Sequence, residues 1–451
     1  MFGADILSSE PITNLHSHYA MISIENLYQI FQSNSVISTD TRKFTEGCLF
    51  FALKGAQFNG NLFAHDALKG GAAFAIVDEL HGHADERILL TEDVLLTLQK
   101  LATHHRQQLN IPVLGITGSN GKTTTKELVA SVLKQKFNTY YTQGNLNNHI
   151  GVPLTILSVT KEHQFAVIEM GANHLKEIEL LTSIAQPNFG LITNIGKAHL
   201  EGFGGIEGVK KGKGELYDYI KAQKGLIFIQ HDRETLVEIL NGYEKIVTYG
   251  TTTTNTICGS AVMRGELLSV EITKPFKQLI NTQLTGDYNL DNVLSAVALG
   301  NHFGIEKNKI EEAISGYIPG NQRSQLIHKG DITIVLDAYN ANPSSMNAAI
   351  TNFRNAFSGD KYLALGEMLE LGDESAGEHH RIASLATTVE AKQTIVVGSH
   401  FAASAATHGF VHFNTSEEAA QWLKKHLPHN AAILIKGSRG SKMEVLLTAF
   451  D

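Results

Sequence analysis

Gly115-Ile116-Thr117-Gly118-Ser119-Asn120-Gly121-Lys122-Thr123-Thr124-Thr125-Lys126-Glu127 is the stretch on which the reading of this chain turns. An apolar run, Ile111-Pro112-Val113-Leu114, precedes it and reads as a buried strand. Within residues 126–136, Leu128, Val129, Val132 and Leu133 recur at helical spacing. Strand, glycine-rich turn, lysine with hydroxyl, then helix is the layout of a phosphate-binding loop. Gly118 and Gly121 let the backbone N–H groups around Asn120 and Thr124 approach an anion, and the helix start adds its positive end. Lys122 is then placed for the β and γ phosphates of ATP and the Thr123 hydroxyl for Mg²⁺. The usual spacing of such loops puts a glycine at position 116. Here Ile116 stands there, with glycines at 115 and 118, which disfavours an ordinary phosphate-loop GTPase or motor.

The bulk numbers set bounds on the rest. A chain of 451 residues corresponds to about three domains at roughly 150 residues each. A formal charge of −8, from 45 acidic against 37 basic residues, argues against a general nucleic-acid binder. Cys48 and Cys258 lie far apart, outside any zinc-ligand spacing, which fits a reducing cytoplasm. No apolar run approaches the roughly 20 residues that cross a bilayer. Residues 1–20 lack a basic start and a long apolar stretch, so they read as a disordered extension and not as a secretion signal.

Outward from the loop, the pattern alternates between strand and helix. Residues 21–108 form a small α/β unit, with strands at 48–53 and 73–78 and a connecting helix at 91–109. Arg42 and Lys54 flank strand ends there, where they read as solvated charges or as phosphate contacts. The segment Gln143-Gly144-Asn145-Leu146-Asn147-Asn148-His149-Ile150-Gly151-Val152-Pro153 is too polar for core and reads as a loop, a common place for a site. Phe165-Ala166-Val167-Ile168-Glu169 is a strand ending in a carboxylate placed to hold Mg²⁺. His199 follows another strand end and reads as structural or functional. Lys210, Lys211 and Lys213 begin a helix near residue 208, as a solvated face or as phosphate ligands. Residues 251–285 alternate as an antiparallel extension. Asn289 and Asn292, three apart at a helix start, read a purine edge or cap the helix.

In residues 319–451, Arg323 follows a domain junction at 318–321. A strand at 332–336 then runs into Asp337-Ala338-Tyr339-Asn340-Ala341-Asn342-Pro343. Strands and helices alternate as in an open parallel sheet, with Gly366-Glu367-Met368-Leu369-Glu370-Leu371-Gly372 and Lys436-Gly437-Ser438-Arg439-Gly440-Ser441 at strand ends.

Together the loop at 115–127, Asp40-Thr41-Arg42, Ile168-Glu169-Met170-Gly171-Ala172, Thr193-Asn194-Ile195-Gly196-Lys197-Ala198-His199-Leu200-Glu201, residues 337–346 and residues 365–372 resemble the Mur ligases, which share the displaced glycine. The resemblance covers residues 40–443. It is strongest to the branch that adds a D-alanyl-D-alanine dipeptide.

It implies an α/β chain of three domains. These are a small N-terminal domain holding a UDP-muropeptide (21–108), a central mostly parallel ATPase sheet of phosphate-loop type (109–318), and a Rossmann-like C-terminal domain (319–451). The last closes over ATP and binds the incoming dipeptide. The implied reaction is ATP-dependent amide formation between UDP-MurNAc-tripeptide and D-Ala-D-Ala through an acyl phosphate, in peptidoglycan synthesis, by a cytoplasmic monomer without nucleic-acid or integral membrane contact. Implied roles put Lys122 on the triphosphate, Thr123 and Glu169 on a first Mg²⁺, and His199 with a carbamylated Lys213 on a second. Asn289 and Asn292 fall on adenine, Arg323, Asp337 and Tyr339 over the nucleotide, and Thr41, Arg42, Asn147 and Asn340 on substrate.

The sequence departs from the family pattern at Tyr288, where histidine is frequent, at Asn59-Gly60-Asn61, where Asp-Gly-His is common, and at Gly212 beside Lys213. The nearer rival is a sister ligase adding a single amino acid, or a folylpolyglutamate synthase. A substrate panel separates these. The rival from a different class is a non-catalytic ATP-gated binding protein, against which Glu169, His199 and Lys213 all speak.

Overall fold

The computed structural model describes residues 20–40, 42, 45–320 and 322–451. The expected extension at 1–19 and the expected substrate residue Thr41 lie outside the described residues. Three principal sheets carry the described chain. By contacts the described chain forms two compact units, one of residues up to 110 with 143–161 and 183–186, the other of the remainder.

In the first unit a four-stranded parallel sheet runs in the order Ile37–Ser38, Leu49–Phe51, Phe74–Val77, Ile88–Leu90. Its core packs Cys48, Phe50, Ala75 and Val77 against Ala64, Ala67 and Leu68 of the helix Ala64–Lys69. The helix Ile24–Ser33 is capped by the Ser23 hydroxyl, which accepts from the Asn26 N–H at 3.2 Å. Gly151–Leu157 is helical, so the polar loop ends earlier than its composition indicates. Pro153 is tolerated there because first-turn N–H groups have no partner within the helix.

In the second unit nine strands form one sheet. Its order is Gln278–Asn281, Leu267–Lys274, Ile257–Arg264, Ile246–Gly250, Leu226–Gln230, Phe189–Ile192, Val113–Thr117, Phe165–Glu169, Thr139–Tyr141. The pairs from Thr139–Tyr141 to Ile257–Arg264 are parallel, and the last two strands add an antiparallel extension as the alternation at 251–285 predicts. Val113–Thr117 leads into the phosphate loop. Its neighbours are the two strands ending at Glu169 and Ile192, so three strand-end loops meet where the chain order reverses. Ligands bind at such points.

The loop's helix is Lys122–Leu133, starting four residues before the apolar periodicity does. Its first turn, Lys122 to Thr125, has no apolar side chain to reveal it. The following helices likewise begin earlier than read, at Ile206–Ala222 and Leu290–His302.

The third principal sheet has six strands ordered Gln325–Lys329, Ile332–Asp337, Ala431–Lys436, Asp360–Gly366, Gln393–Val397, Val411–Phe413, all parallel except the first pair. Ala431–Lys436, last in the chain, lies between strands formed earlier. The loops after Asp337, Lys436 and Gly366 therefore share one rim. Among the described residues, no helix is long and apolar enough to cross a membrane.

Candidate active site

Two glycines of the phosphate loop are required by their surroundings. Gly118 has φ 142°, and a Cβ there would lie 2.0 Å from Thr193 Oγ1. Gly121 has φ 79°, and a Cβ there would lie 2.6 Å from Asn292 Oδ1. Ile116, where a common loop has glycine, is instead a fully buried strand residue paired with Glu169. Here the turn begins after Thr117, which is why the glycine is displaced.

The loop is held by the segment after Ile192. Ser119 N donates to Asn194 O at 2.9 Å, Asn120 N to Asn194 Oδ1 at 3.0 Å, and Thr193 Oγ1 to Asn120 O at 2.6 Å. Ser119 Oγ also exchanges hydrogen bonds with Gly196.

Lys122 is only partly covered at its surface, yet its ammonium turns inward to the Gly118 and Ser119 carbonyls at 2.6 and 3.2 Å. Burial pushes this amine down to about 8; the Glu169 carboxylate opposes the shift and Arg323 adds to it. Lys213 is held well below the usual lysine range, first by burial and then by the charge of Lys122. Lys122 thus lies within electrostatic reach of Glu169, of Arg323 and, separately, of Lys213.

Glu169 ends its strand almost fully buried, its backbone N–H bonded to Thr142 Oγ1 at 2.9 Å. Lys126, which the sequence reading passed over, is fully buried with Nζ 3.7 Å from Glu169 Oε2 and no hydrogen bond of its own. Lys213 donates to Ala172 O at 2.8 Å, just past the Glu169 strand, and lies 5.0 Å over the Phe203 ring. That ring explains Gly212, because a Cβ there would lie 2.4 Å from Phe203 Cε1. His199, with left-handed backbone, bonds through Nδ1 to Glu370, whose carboxyl this contact holds below the usual range.

Among the described residues, no three His, Cys, Asp or Glu side chains are grouped so as to hold a metal ion. What fits Mg²⁺ is the buried Thr123 hydroxyl with the Glu169 carboxylate, hard oxygen donors that leave most positions to phosphate and water. A free Lys213 amine does not fit; its carbamate, which carries oxygen donors, does.

The expected adenine readers are bonded to each other. Asn292 Nδ2 donates to Asn289 Oδ1 at 2.8 Å, Asn289 Nδ2 to Thr285 O at 2.8 Å, and Thr125 Oγ1 to Asn292 Oδ1 at 3.0 Å. Neither side chain caps the helix Leu290–His302; the pair ties its start to the phosphate-loop helix. The departure at Tyr288 is absorbed by a bond between its hydroxyl and Ser324 Oγ at 2.9 Å.

On the rim of the six-stranded sheet, Arg323 stacks 3.8 Å from the Tyr339 ring centre, its Nε buried without a hydrogen bond. Asp337 accepts from the Lys436 ammonium at 2.6 Å and from Ser324 N at 3.3 Å. Buried Lys436, a further residue without an assigned role in the sequence reading, also reaches Asn340 O at 3.2 Å. Asn340 is exposed, its Oδ1 taken by Ala341 N.

In the first unit Arg42 is clamped on Asp40 by two bonds of 2.8 and 2.9 Å, and Asn147 sits half-buried in the Asn-rich loop. Asn61 is also there, buried, its amide bridging Asp78 and Asn59.

Comparison with known proteins gives this arrangement relatives. The Mur ligase middle domain matches residues 116–300, and the glutamate ligase domain of Mur ligases matches residues 322–439. The UDP-N-acetylmuramoyl-tripeptide–D-alanyl-D-alanine ligase of Bacillus subtilis is 35% identical over 424 residues, covering 91% of this chain and 92% of the relative. Among solved structures, MurF from Acinetobacter baumannii is 31% identical with a TM-score of 0.84, covering 94% of this chain and 97% of that one. MurF from Thermotoga maritima, in complex with ADP, is 26% identical with a TM-score of 0.82, covering 92% and 96%.

Proposed function

The chain belongs to the Mur ligase family, and from that premise we propose that it is the ATP-dependent ligase joining D-alanyl-D-alanine to UDP-N-acetylmuramoyl-tripeptide in peptidoglycan synthesis. The observation that carries the reading is the phosphate loop with Lys122 beside the strand ending in buried Glu169, in a chain 35% identical to such a ligase over nearly its whole length. The three-domain division at about residues 108 and 318 is part of the proposal, as is a cytoplasmic site, supported by the nucleotide-linked precursor and two unpaired buried thiols.

The reaction must bring two anions together. A carboxylate oxygen of the tripeptide attacks the γ-phosphorus and ADP leaves. The dipeptide amine then attacks the acyl carbon, a proton is lost, and inorganic phosphate departs from the tetrahedral intermediate. Lys122 swings from the Gly118 and Ser119 carbonyls to the β and γ oxygens, cancelling charge where it repels the incoming carboxylate. Thr123 and Glu169 would hold a first Mg²⁺, and His199, through its free nitrogen, with carbamylated Lys213 a second. Bound there, the ions neutralise and align the phosphate oxygens. Arg323 and Tyr339 would cover the nucleotide, and Asn289 with Asn292 would set the loop against which adenine rests. Thr41, Arg42, Asn147 and Asn340 are the proposed contacts to the muropeptide.

The test is a substrate panel read by mass spectrometry. Tripeptide precursor with D-Ala-D-Ala and ATP should give the pentapeptide; single amino acids and glutamate should not. Lys122→Ala should lose activity by at least about 10³-fold with unchanged circular dichroism. Near-normal ligation by that variant, or product only from a single amino acid, would overturn the proposal.

A further inference from the structure

The six-stranded sheet presents three loops on one rim. The loop after Asp337 reaches the phosphate loop, with Asn342 Nδ2 on Asn120 Oδ1 at 2.8 Å. The loop after Gly366 reaches His199 through Glu370. The third, Lys436-Gly437-Ser438-Arg439-Gly440-Ser441, lies beside both. Lys436 bonds Asp337 at 2.6 Å, Ser438 N bonds Glu367 O at 3.2 Å, and a Cβ on Gly440 would lie 2.8 Å from Leu369 Cδ1.

This third loop carries an exposed guanidinium. Arg439 lies 5.2 Å from the centre of the Tyr339 ring on which Arg323 stacks, and has no carboxylate partner among the described residues. Two more polar atoms nearby are unspent, since Ser438 Oγ and Arg323 Nε are buried without hydrogen bonds. Arg323 stacks on the Tyr339 ring at 3.8 Å, and Arg439 stands further from that ring at 5.2 Å.

We propose that Arg439 binds the terminal carboxylate of the incoming dipeptide. The inference rests on the reading of D-Ala-D-Ala as the amine substrate. The attacking amine must lie at the γ-phosphate end of the pocket, beside Lys122. An extended dipeptide spans about 7 Å, so its carboxylate falls outside the triphosphate seat but on the same rim. Its negative charge calls for a forked, permanently charged donor there, and a guanidinium is that donor. The same contact selects for a free C-terminus and orients the dipeptide with its amine inward.

The test compares D-Ala-D-Ala with D-alanyl-D-alaninamide, which keeps the amine and lacks the carboxylate. The unaltered enzyme should prefer the free acid in kcat/KM by on the order of 10–100-fold. Arg439→Ala should lose kcat/KM for the free acid by a similar factor, keep its KM for ATP within about twofold, and no longer distinguish acid from amide. Arg439→Lys, which keeps the charge and loses the fork, should fall between. An Arg439→Ala enzyme that still prefers the acid overturns the inference, and so does one whose KM for ATP rises instead. If the unaltered enzyme makes no pentapeptide at all, the proposed function fails, not merely the role of Arg439.

Discussion

Lys213 combines features an ordinary lysine does not. It is 1% exposed, faces a carbonyl and an aromatic ring, and forms no ion pair among the described residues. Burial together with the charge of Lys122 disfavours its ammonium form. The neutral amine is the form that adds to CO₂: nitrogen bonds carbon, a proton leaves, and a carbamate anion results. If the proposed carbamate forms, Lys213→Ala should reduce ligation by on the order of 100-fold or more, and short carboxylic acids should restore part of it by placing oxygens in the vacated space. Restoration by none of them, with the fold intact, would refute the carbamate.

At this scale the sequence made legible the positions that local order sets. Lys122 and Thr123 follow a glycine turn, and Glu169 ends an apolar run. Lys126, Glu370 and Lys436 were opaque for the opposite reason. Each acts on a residue distant in the chain, at 169, 199 and 337 respectively, and neither periodicity nor spacing records such a meeting.

Elements were legible where one face is buried and the other wet. The antiparallel strands of residues 257–281 were visible through alternation, and the parallel strands through short apolar runs between turn residues. The start at Ile24 was legible from its Ser23 cap, whereas that at Lys122 was not, because the first turn Lys122-Thr123-Thr124-Thr125 carries no apolar side chain to mark it.

One element junction makes a pH-dependent prediction. Asp232, after the strand Leu226–Gln230, accepts from Thr251 N at 2.6 Å, Thr252 Oγ1 at 2.5 Å and Asn255 Nδ2 at 2.8 Å. It so pins the turn that leads from Ile246–Gly250 to Ile257–Arg264. Burial acts to raise its pKa, but these hydrogen bonds outweigh it and hold the carboxyl down at about 2. A carboxylate depressed on folding stabilises in full above its unfolded value near 3.9 and loses that contribution as pH falls through about 2. Discounted for solvent screening, the contribution is about 1 kcal/mol. Urea melts should show Asp232→Asn less stable by about that much at pH 7, with the difference closing near pH 2. A difference equally large at both pH values would show that its charge has no part.

At the scale of the whole molecule, the Lys197 segment joins the nine-stranded and six-stranded sheets. Residues 119–120 of the phosphate loop are laced to residues 193–196, and the next residues grip the far sheet. Lys197 N donates to Ser344 Oγ at 3.0 Å, and Lys197 Nζ reaches Glu378 at 2.6 Å. Glu378 is 6% exposed and is also held by Arg381 at 2.7 Å. A carboxylate so buried is stable only while paired, and Lys197, itself half exposed, is one of its two close cationic partners. The phosphate loop is thereby linked by contacts to Asn342, Glu370 and the rim that carries Arg439.

Cutting the tie with Lys197→Met should leave each sheet folded while loosening the join. Amide hydrogen exchange in residues 340–345 and 370–378 should speed up by on the order of tenfold, the central strands keeping their protection. Lys197→Met with Glu378→Gln should fall short of the sum of the two single variants, since both remove the Lys197–Glu378 contact while Glu378→Gln alone also weakens the hold of Arg381. Unchanged exchange in the single variant, or additive effects in the double, would mean that the sheets are held by other contacts and that Lys197 is an ordinary surface charge.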